Sequence, residues 1–268
     1  MAYDWITFTT DYGLADGFPA VCEGVIARIA PAARVLHVTH QVPAHDVRRG
    51  AQVLEQAVPY LPSAVHMAVV DPGVGTTRRA VAVATLGGAL VGPDNGLLVP
   101  AAEALGGVVA AVELTEFLLE PVSATFHGRD VFAPAAAHLA SGRPLGELGP
   151  EVDPAGLVRL PAPVTSAVPG RLTTEVLGAD VFGNVQLAAG ARDLAITGAT
   201  PGSGVHVEIG GRSVEARVGR TFADVPAGSA VVLLDSAGRV AVAVNGGSAQ
   251  AVFHGTAGQA AVLLVERQ

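Results

Sequence analysis

The sequence predicts an α/β N-terminal domain with a central, mostly parallel sheet, followed by a smaller all-β, barrel-like C-terminal domain. Three observations predict it. Short apolar runs alternate with helically spaced segments through the first half of the chain, a Pro-rich stretch from Pro161 to Pro169 breaks that pattern, and only short strands with Gly-centred turns follow. Alternating strands and helices favour parallel pairs, whereas strands joined by tight turns favour an antiparallel barrel or sandwich. A chain of 268 residues is also near the size at which one core divides into two. The expected boundaries are 1–162 for the α/β domain, 163–170 for a linker and 171–268 for the β domain.

Taken in order, Ile6 to Thr9 reads as a strand and Gly17 to Ile29 as a helix, with Val21, Val25 and Ile29 at helical spacing. Arg34 to Val38 is a second strand. Asp46 is placed to cap a helix running to about Tyr60, because its carboxylate can accept an otherwise unpaired N–H of the first turn. Val65 to Val70 is a continuous apolar run, as expected of a strand covered on both faces. Ala80 to Leu86 and Ala89 to Val91 flank Gly87-Gly88 as a hairpin. A helix follows Gly96, a strand covers Val108 to Leu114, and Asp130 to Ser141 reads as a capped helix. In the second domain, Val205 to Ile209 and Ser213 to Val218 flank Gly210-Gly211, and Val231 to Leu234 and Val240 to Val244 flank Asp235-Ser236-Ala237-Gly238.

Composition narrows the function. Half of the residues are hydrophobic, but they are dispersed among 33 Gly and 18 Pro, so no apolar run is long enough to span a bilayer. No membrane association is expected. Asp4 and the lack of a basic segment near the start argue against a secretory signal, giving a cytoplasmic expectation. A net charge of −8 argues against a nucleic-acid partner, which needs a clustered positive surface. All 16 basic residues are arginine, which excludes lysine-based covalent mechanisms. The single Cys22, beside Val21, Val25 and Ile26, reads as an inward-facing spectator.

In an α/β domain ligands collect beyond the carboxyl ends of the parallel strands. Thr9-Thr10-Asp11-Tyr12-Gly13 follows the first strand, and Asp11 has the chemistry to hold vicinal ribose hydroxyls or simply to cap a turn. Asp71-Pro72-Gly73-Val74-Gly75-Thr76 follows a buried strand, with Arg78 or Arg79 near enough to keep Asp71 ionised. A phosphate cradle is the rival there, without a Walker lysine or a G-x-G-x-x-G to support it. Pro93-Asp94-Asn95-Gly96 is a turn signal. Thr125-Phe126-His127-Gly128-Arg129-Asp130 sets an imidazole just before a helix start, where backbone N–H groups are free. His37, His66, His138, His206 and His254 read as structural. A metallohydrolase built on Asp11, Asp71, His40 and His127 lacks any metal-ligand spacing, so no metal is expected.

Together with Val38-Thr39-His40, Phe182-Gly183-Asn184 and Val244-Asn245-Gly246-Gly247-Ser248-Ala249, these segments resemble the S-adenosyl-L-methionine (SAM) hydroxide adenosyltransferase family, relatives of the fluorinating and chlorinating SAM enzymes. The resemblance runs from Ile6 to about Ala249. It implies an Asp-Arg-His triad, falling on Asp71, Arg78 and His127, that prepares water or hydroxide for attack. It implies ribose binding by Asp11, methionine binding by Asp180 and Asn184, and adenine binding by Phe222 and Asn245. It also implies a homotrimer whose sites combine first- and second-domain residues of neighbouring subunits, and hydrolysis of SAM to adenosine and methionine with no cofactor. His45 stands where the fluorinating relative has Trp, and Ala237 where it has an Arg near the methionine carboxylate.

The expected mechanism is displacement at ribose C5′. The sulfonium departs as a neutral thioether and needs no acid, so the protein has only to align and activate the nucleophile, with His127 accepting or sharing the proton and Arg78 balancing Asp71. Two rivals remain at this stage. One is halide transfer, disfavoured because an ionised carboxylate repels halide and because the halogenating relatives carry Tyr where Asp71 stands. The other is a non-catalytic adenosine- or SAM-binding protein.

Overall fold

The computed structural model describes residues 2–266, which divide between Leu160 and Pro161 into two compact units. The first contains β1 (Trp5–Thr10), α1 (Phe18–Ile29), β2 (Arg34–Thr39), α2 (Val47–Ala57), β3 (Val65–Val69), β4 (Ala80–Thr85), β5 (Ala89–Pro93), α3 (Val99–Ala104), β6 (Val108–Glu113), α4 (Ala133–Ala140) and β7 (Glu151–Val152). The strands form one sheet in the order β2-β1-β3-β5-β4-β6-β7. The sheet is mixed. Its β2-β1-β3-β5 half is parallel, whereas the β4–β5 hairpin and the β6 and β7 pairings are antiparallel.

Alternation along β3 explains why every residue in it but His66 is apolar. Val65, Met67 and Val69 join the core under α1 and α4, while Ala68 and the following Val70 join the core under α2 and α3. Helices therefore cover both faces. Asp46 caps α2 as expected, its carboxylate accepting from Arg49 N at 2.9 Å. Cys22 is fully buried on α1, and burial pushes its thiol up to about 12, so it is not a nucleophile. Val21 departs from expectation. It is 45% exposed, because Pro19, Cys22, Val25 and Ile26 make the inward stripe and Val21 falls to its side. The turn expected to start a capped helix at Asp130 is instead a π-type turn, Gly128–Phe132, ahead of α4. Asp130 turns back to accept from Ser123 N rather than capping.

The second unit holds β8 (Ser166–Val168), β9 (Arg171–Ala179), β10 (Val185–Gly190), α5 (Ala191–Ile196), β11 (Gly204–Ile209), β12 (Arg212–Val218), β13 (Ala230–Leu234), β14 (Arg239–Val244), α6 (Ala249–Phe253) and β15 (Ala260–Val265). Its strands run β10-β14-β13-β12-β11-β15-β9-β8, and an added β9–β10 pairing closes seven of them into a barrel. Only β12–β13 is parallel. One edge of the long β9 pairs with β8 at Arg171–Thr173 and with β10 further along, so the Pro-rich segment itself carries a strand of this sheet. Inward residues such as Leu172, Val185, Leu187, Val205, Val207, Val232, Val242 and Leu263 fill the barrel.

Candidate active site

The parallel register pairs Thr10 with Val69, so the loops leaving β1 and β3 emerge side by side at the carboxyl edge of the sheet. Asp11 and Asp71 stand on those loops. Both line a cavity of about 360 Å³ together with Tyr12, Phe18, Ala44, His45, Thr125, Phe126 and His127, within the range typical of small-molecule sites.

The loop after β3 is built from its own turn chemistry. Val74 N donates to Asp71 O, and both the backbone N and the hydroxyl of Thr76 donate to Gly73 O. Asn95 of the Pro93–Gly96 turn donates through Nδ2 to Val70 O at 2.9 Å, clamping the backbone just before Asp71. Gly75 has φ +74°, and a Cβ there would overlap the carbonyl oxygen of Ala124. Glycine therefore lets this loop lie directly against the segment that carries His127.

On this frame Arg78 binds Asp71 with Nε 2.9 Å from Oδ1 and 3.0 Å from Oδ2, and with Nη2 also on Oδ2. The pair is almost wholly buried, with side-chain exposures of 10% for Arg78 and 4% for Asp71. The same Nη2 lies 2.8 Å from Nδ1 of His127. Arg79 points elsewhere, donating through Nε to Asp94 at 2.9 Å and through Nη2 to Gly156 O. Of the two adjacent arginines, only Arg78 joins Asp71 and His127.

A guanidinium has no acceptor, so Nδ1 of His127 must accept, and the neutral ring then carries its proton on Nε2. Burial first, and the Arg78 cation second, hold this imidazole below its ordinary value against the opposing pull of Asp71 and Asp130. The remaining polar group of His127 is thus an N–H donor suited to an oxygen with anionic character. The segment that carries His127 is tied across its ends. Asp130 accepts from Ser123 N at 2.8 Å and pairs with Arg129, and although burial alone would raise its pKa, these bonds hold it below the usual carboxylate range.

Asp11 is no helix cap. Its Oδ2 accepts from His45 N at 2.9 Å, and His45 itself has φ 68°, so the two loops are tied at the cavity rim. His40 does not join the acidic residues. Its Nδ1 meets Thr10 Oγ1 at 2.8 Å and its Nε2 meets His37 Nδ1 at 2.7 Å. Among the described residues no group of three or more His, Cys, Asp or Glu is arranged to hold a metal. Sequence reasoning missed the aromatic wall of Tyr12, Phe18 and Phe126, whose rings lie 5.1–5.9 Å apart. Phe18 and Phe126 are over a hundred residues apart in the chain, and only their position beside the two loop motifs hinted at it.

In the second unit Asp180 organises the tight turn before β10, accepting from Phe182 N, Asn184 N and Asn184 Nδ2 at 2.7–2.9 Å. Asp180, Asn184 and Phe222 line one pocket. Asn184 and Phe222 also line its neighbour. Asn245 spends its amide on Val225 O at 2.7 Å, which anchors the loop before β13.

Residues 6–149 match the SAM hydroxide adenosyltransferase N-terminal domain, and residues 174–262 match the corresponding C-terminal domain. The chain belongs to the SAM hydroxide adenosyltransferase family. It is similar to an "(R)-S-adenosyl-L-methionine hydrolase" of Salinispora arenicola, 60% identical over 91% of this chain and 92% of that protein. A fluorinase of Actinoplanes sp. is more distant, 28% identical over 90% of both chains. A crystal structure of an uncharacterized conserved protein from Thermotoga maritima superposes with a TM-score of 0.90 at 35% identity, covering 97% of this chain and 99% of that one. Membership extends across both units, so the adenosyltransferase fold carries the cavity of the first and the pockets of the second.

Proposed function

We propose that this chain is an enzyme that hydrolyses SAM to adenosine and L-methionine, by attack of a water-derived hydroxide on ribose C5′. The observation that carries the reading is the buried Arg78 bridging Asp71 and His127 on the wall of a cavity that also exposes Asp11. Arg78 supplies a fixed positive charge that favours hydroxide over water, Asp71 neutralises and orients it, and the Nε2–H of His127 donates to the bound oxygen. The proton lost by water leaves to solvent. The C5′–S bond then breaks as the C5′–O bond forms, and its electron pair stays on sulfur as a neutral thioether. Alignment alone can lower such a barrier by roughly 7–11 kcal/mol, so modest activation of the nucleophile suffices. No metal or organic cofactor enters this scheme.

Asp11 is read as the ribose ligand, Asp180 and Asn184 as holding the methionine end, and Phe222 and Asn245 as the adenine side. The assembly is read as a homotrimer in which neighbouring subunits complete each site. Val181 and Phe182, 95% and 76% exposed beside these pockets, support a covering partner. A cytoplasmic location accords with a SAM-consuming reaction, and among the described residues no helix is long and apolar enough to cross a membrane. An oxygen nucleophile can accept from His127 Nε2 and also donate to Asp71, whereas a halide can only accept, so the site suits water better than halide. The test is His127→Ala assayed for adenosine release and SAM binding. Turnover should collapse while binding persists, and unchanged turnover would overturn the assignment.

A further inference from the structure

The two pockets of the second unit differ in charge. They share Phe182, Asn184 and Phe222, but beyond these one is lined by Val244, two glycines and Ser248 and carries no ionisable group. The other adds Asp180, Asp235, Ser236 and Arg220. SAM has the same asymmetry, with a neutral π-system at one end and a zwitterionic amino acid at the other. Resting on the SAM reading above, this division puts adenine in the neutral pocket and the amino acid in the charged one.

A zwitterion needs both signs. The acids are present, and each is fixed in place by the backbone. Asp180 accepts from two backbone N–H groups and from Asn184, and Asp235 accepts from Ala237 N, Arg239 N and Gln186 Nε2. Either carboxylate can attract an ammonium group. The cation has a single source. Arg220 is the one basic residue among the described residues lining this pocket. Its backbone N–H is anchored to Asp224 Oδ2 at 2.7 Å, while its guanidinium makes no hydrogen bond or ion pair among the described residues. We infer that Arg220 binds the α-carboxylate of the substrate's methionine moiety, with the Ser236 hydroxyl beside it, and so selects SAM over adenosyl sulfoniums that lack a carboxylate. The forked guanidinium matches a carboxylate in two parallel bonds, and no other side chain on this wall offers that.

The experiment compares SAM with its decarboxylated analogue on the wild-type enzyme and on Arg220→Gln and Arg220→Lys. Charge-assisted bonds of this kind set the expected scale, with KM for SAM rising roughly ten- to hundredfold in Arg220→Gln. Its kcat should change little, and Arg220→Lys should recover part of the loss. The wild type should disfavour the decarboxylated analogue by a similar factor, and Arg220→Gln should treat the two alike. Equal wild-type use of both substrates overturns the inference without any variant, as does an Arg220→Gln enzyme that keeps its preference for SAM. A wild-type protein that releases no adenosine from either compound would instead overturn the hydrolytic reading, and this inference with it.

Discussion

Nη2 of Arg78 stands 2.8 Å from Nδ1 of His127 while the same guanidinium holds Asp71, so one buried cation joins two loops through residues 49 positions apart in sequence. The contact sets the tautomer of His127 and puts a positive charge beside its ring. Replacing Arg78 by Gln should lower kcat by roughly 10²- to 10³-fold, the range expected for losing one fixed electrostatic donor. Replacing it by Lys should recover only part of this, since an ammonium cannot span Asp71 and His127 together. Steady-state adenosine release measures both, and a Lys variant with full activity would show that charge alone, without the bridge, is enough.

The residues alone left Arg78 and Arg79 open, and only the family resemblance pointed to Arg78, the arginine that holds Asp71. Arg78 and Arg79 are neighbours leading into β4, and side chains on successive extended residues point to opposite faces. Composition cannot say which face meets Asp71. Other features were legible because they are local. The Gly210-Gly211 and Asp235–Gly238 turns set their hairpins, and Asp46 capped its helix. Barrel closure through β9 and β10 depends on one strand sharing its edge between two partners, and the aromatic wall depends on distant loops meeting. Neither leaves a periodic trace. Val21 failed because helical spacing fits two adjacent stripes equally well, and the packing of α4 selected the one through Cys22.

Gly75 tests the packing of the two loops. Alanine there must hold φ +74° and displace the Ala124 carbonyl. Stability should fall by roughly 1–3 kcal/mol. Activity should fall further than the folded fraction does, because His127 lies three residues beyond Ala124. Thermal melting and kcat on the same sample separate the two effects, and wild-type turnover would show that the loop contact does not position His127.

Acid should weaken the fold through two buried histidines. Burial lowers both His40 and His66 to about 4, with His37 adding to the effect on His40. Between their ordinary value of about 6.5 and about 4 the unfolded chain binds protons that the folded chain refuses, so stability is full above this window and is lost as pH falls through it. His66 is wholly enclosed, with its Nδ1 on Thr7 Oγ1 at 2.9 Å. Denaturant midpoints measured from pH 7 to pH 4 should decline, and less steeply in His66→Gln, whose side chain does not titrate. A flat profile would contradict the burial argument.

The central claim is that a solvent-derived oxygen, held by Asp71, Arg78 and His127, displaces the thioether at C5′. Incubating SAM with the enzyme in water labelled with heavy oxygen and an excess of chloride, then weighing the products by mass spectrometry, tests it most directly. The account predicts adenosine carrying the label in its 5′-hydroxyl and unlabelled methionine. A 5′-chloro-5′-deoxyadenosine product, or adenosine without the label, would contradict it.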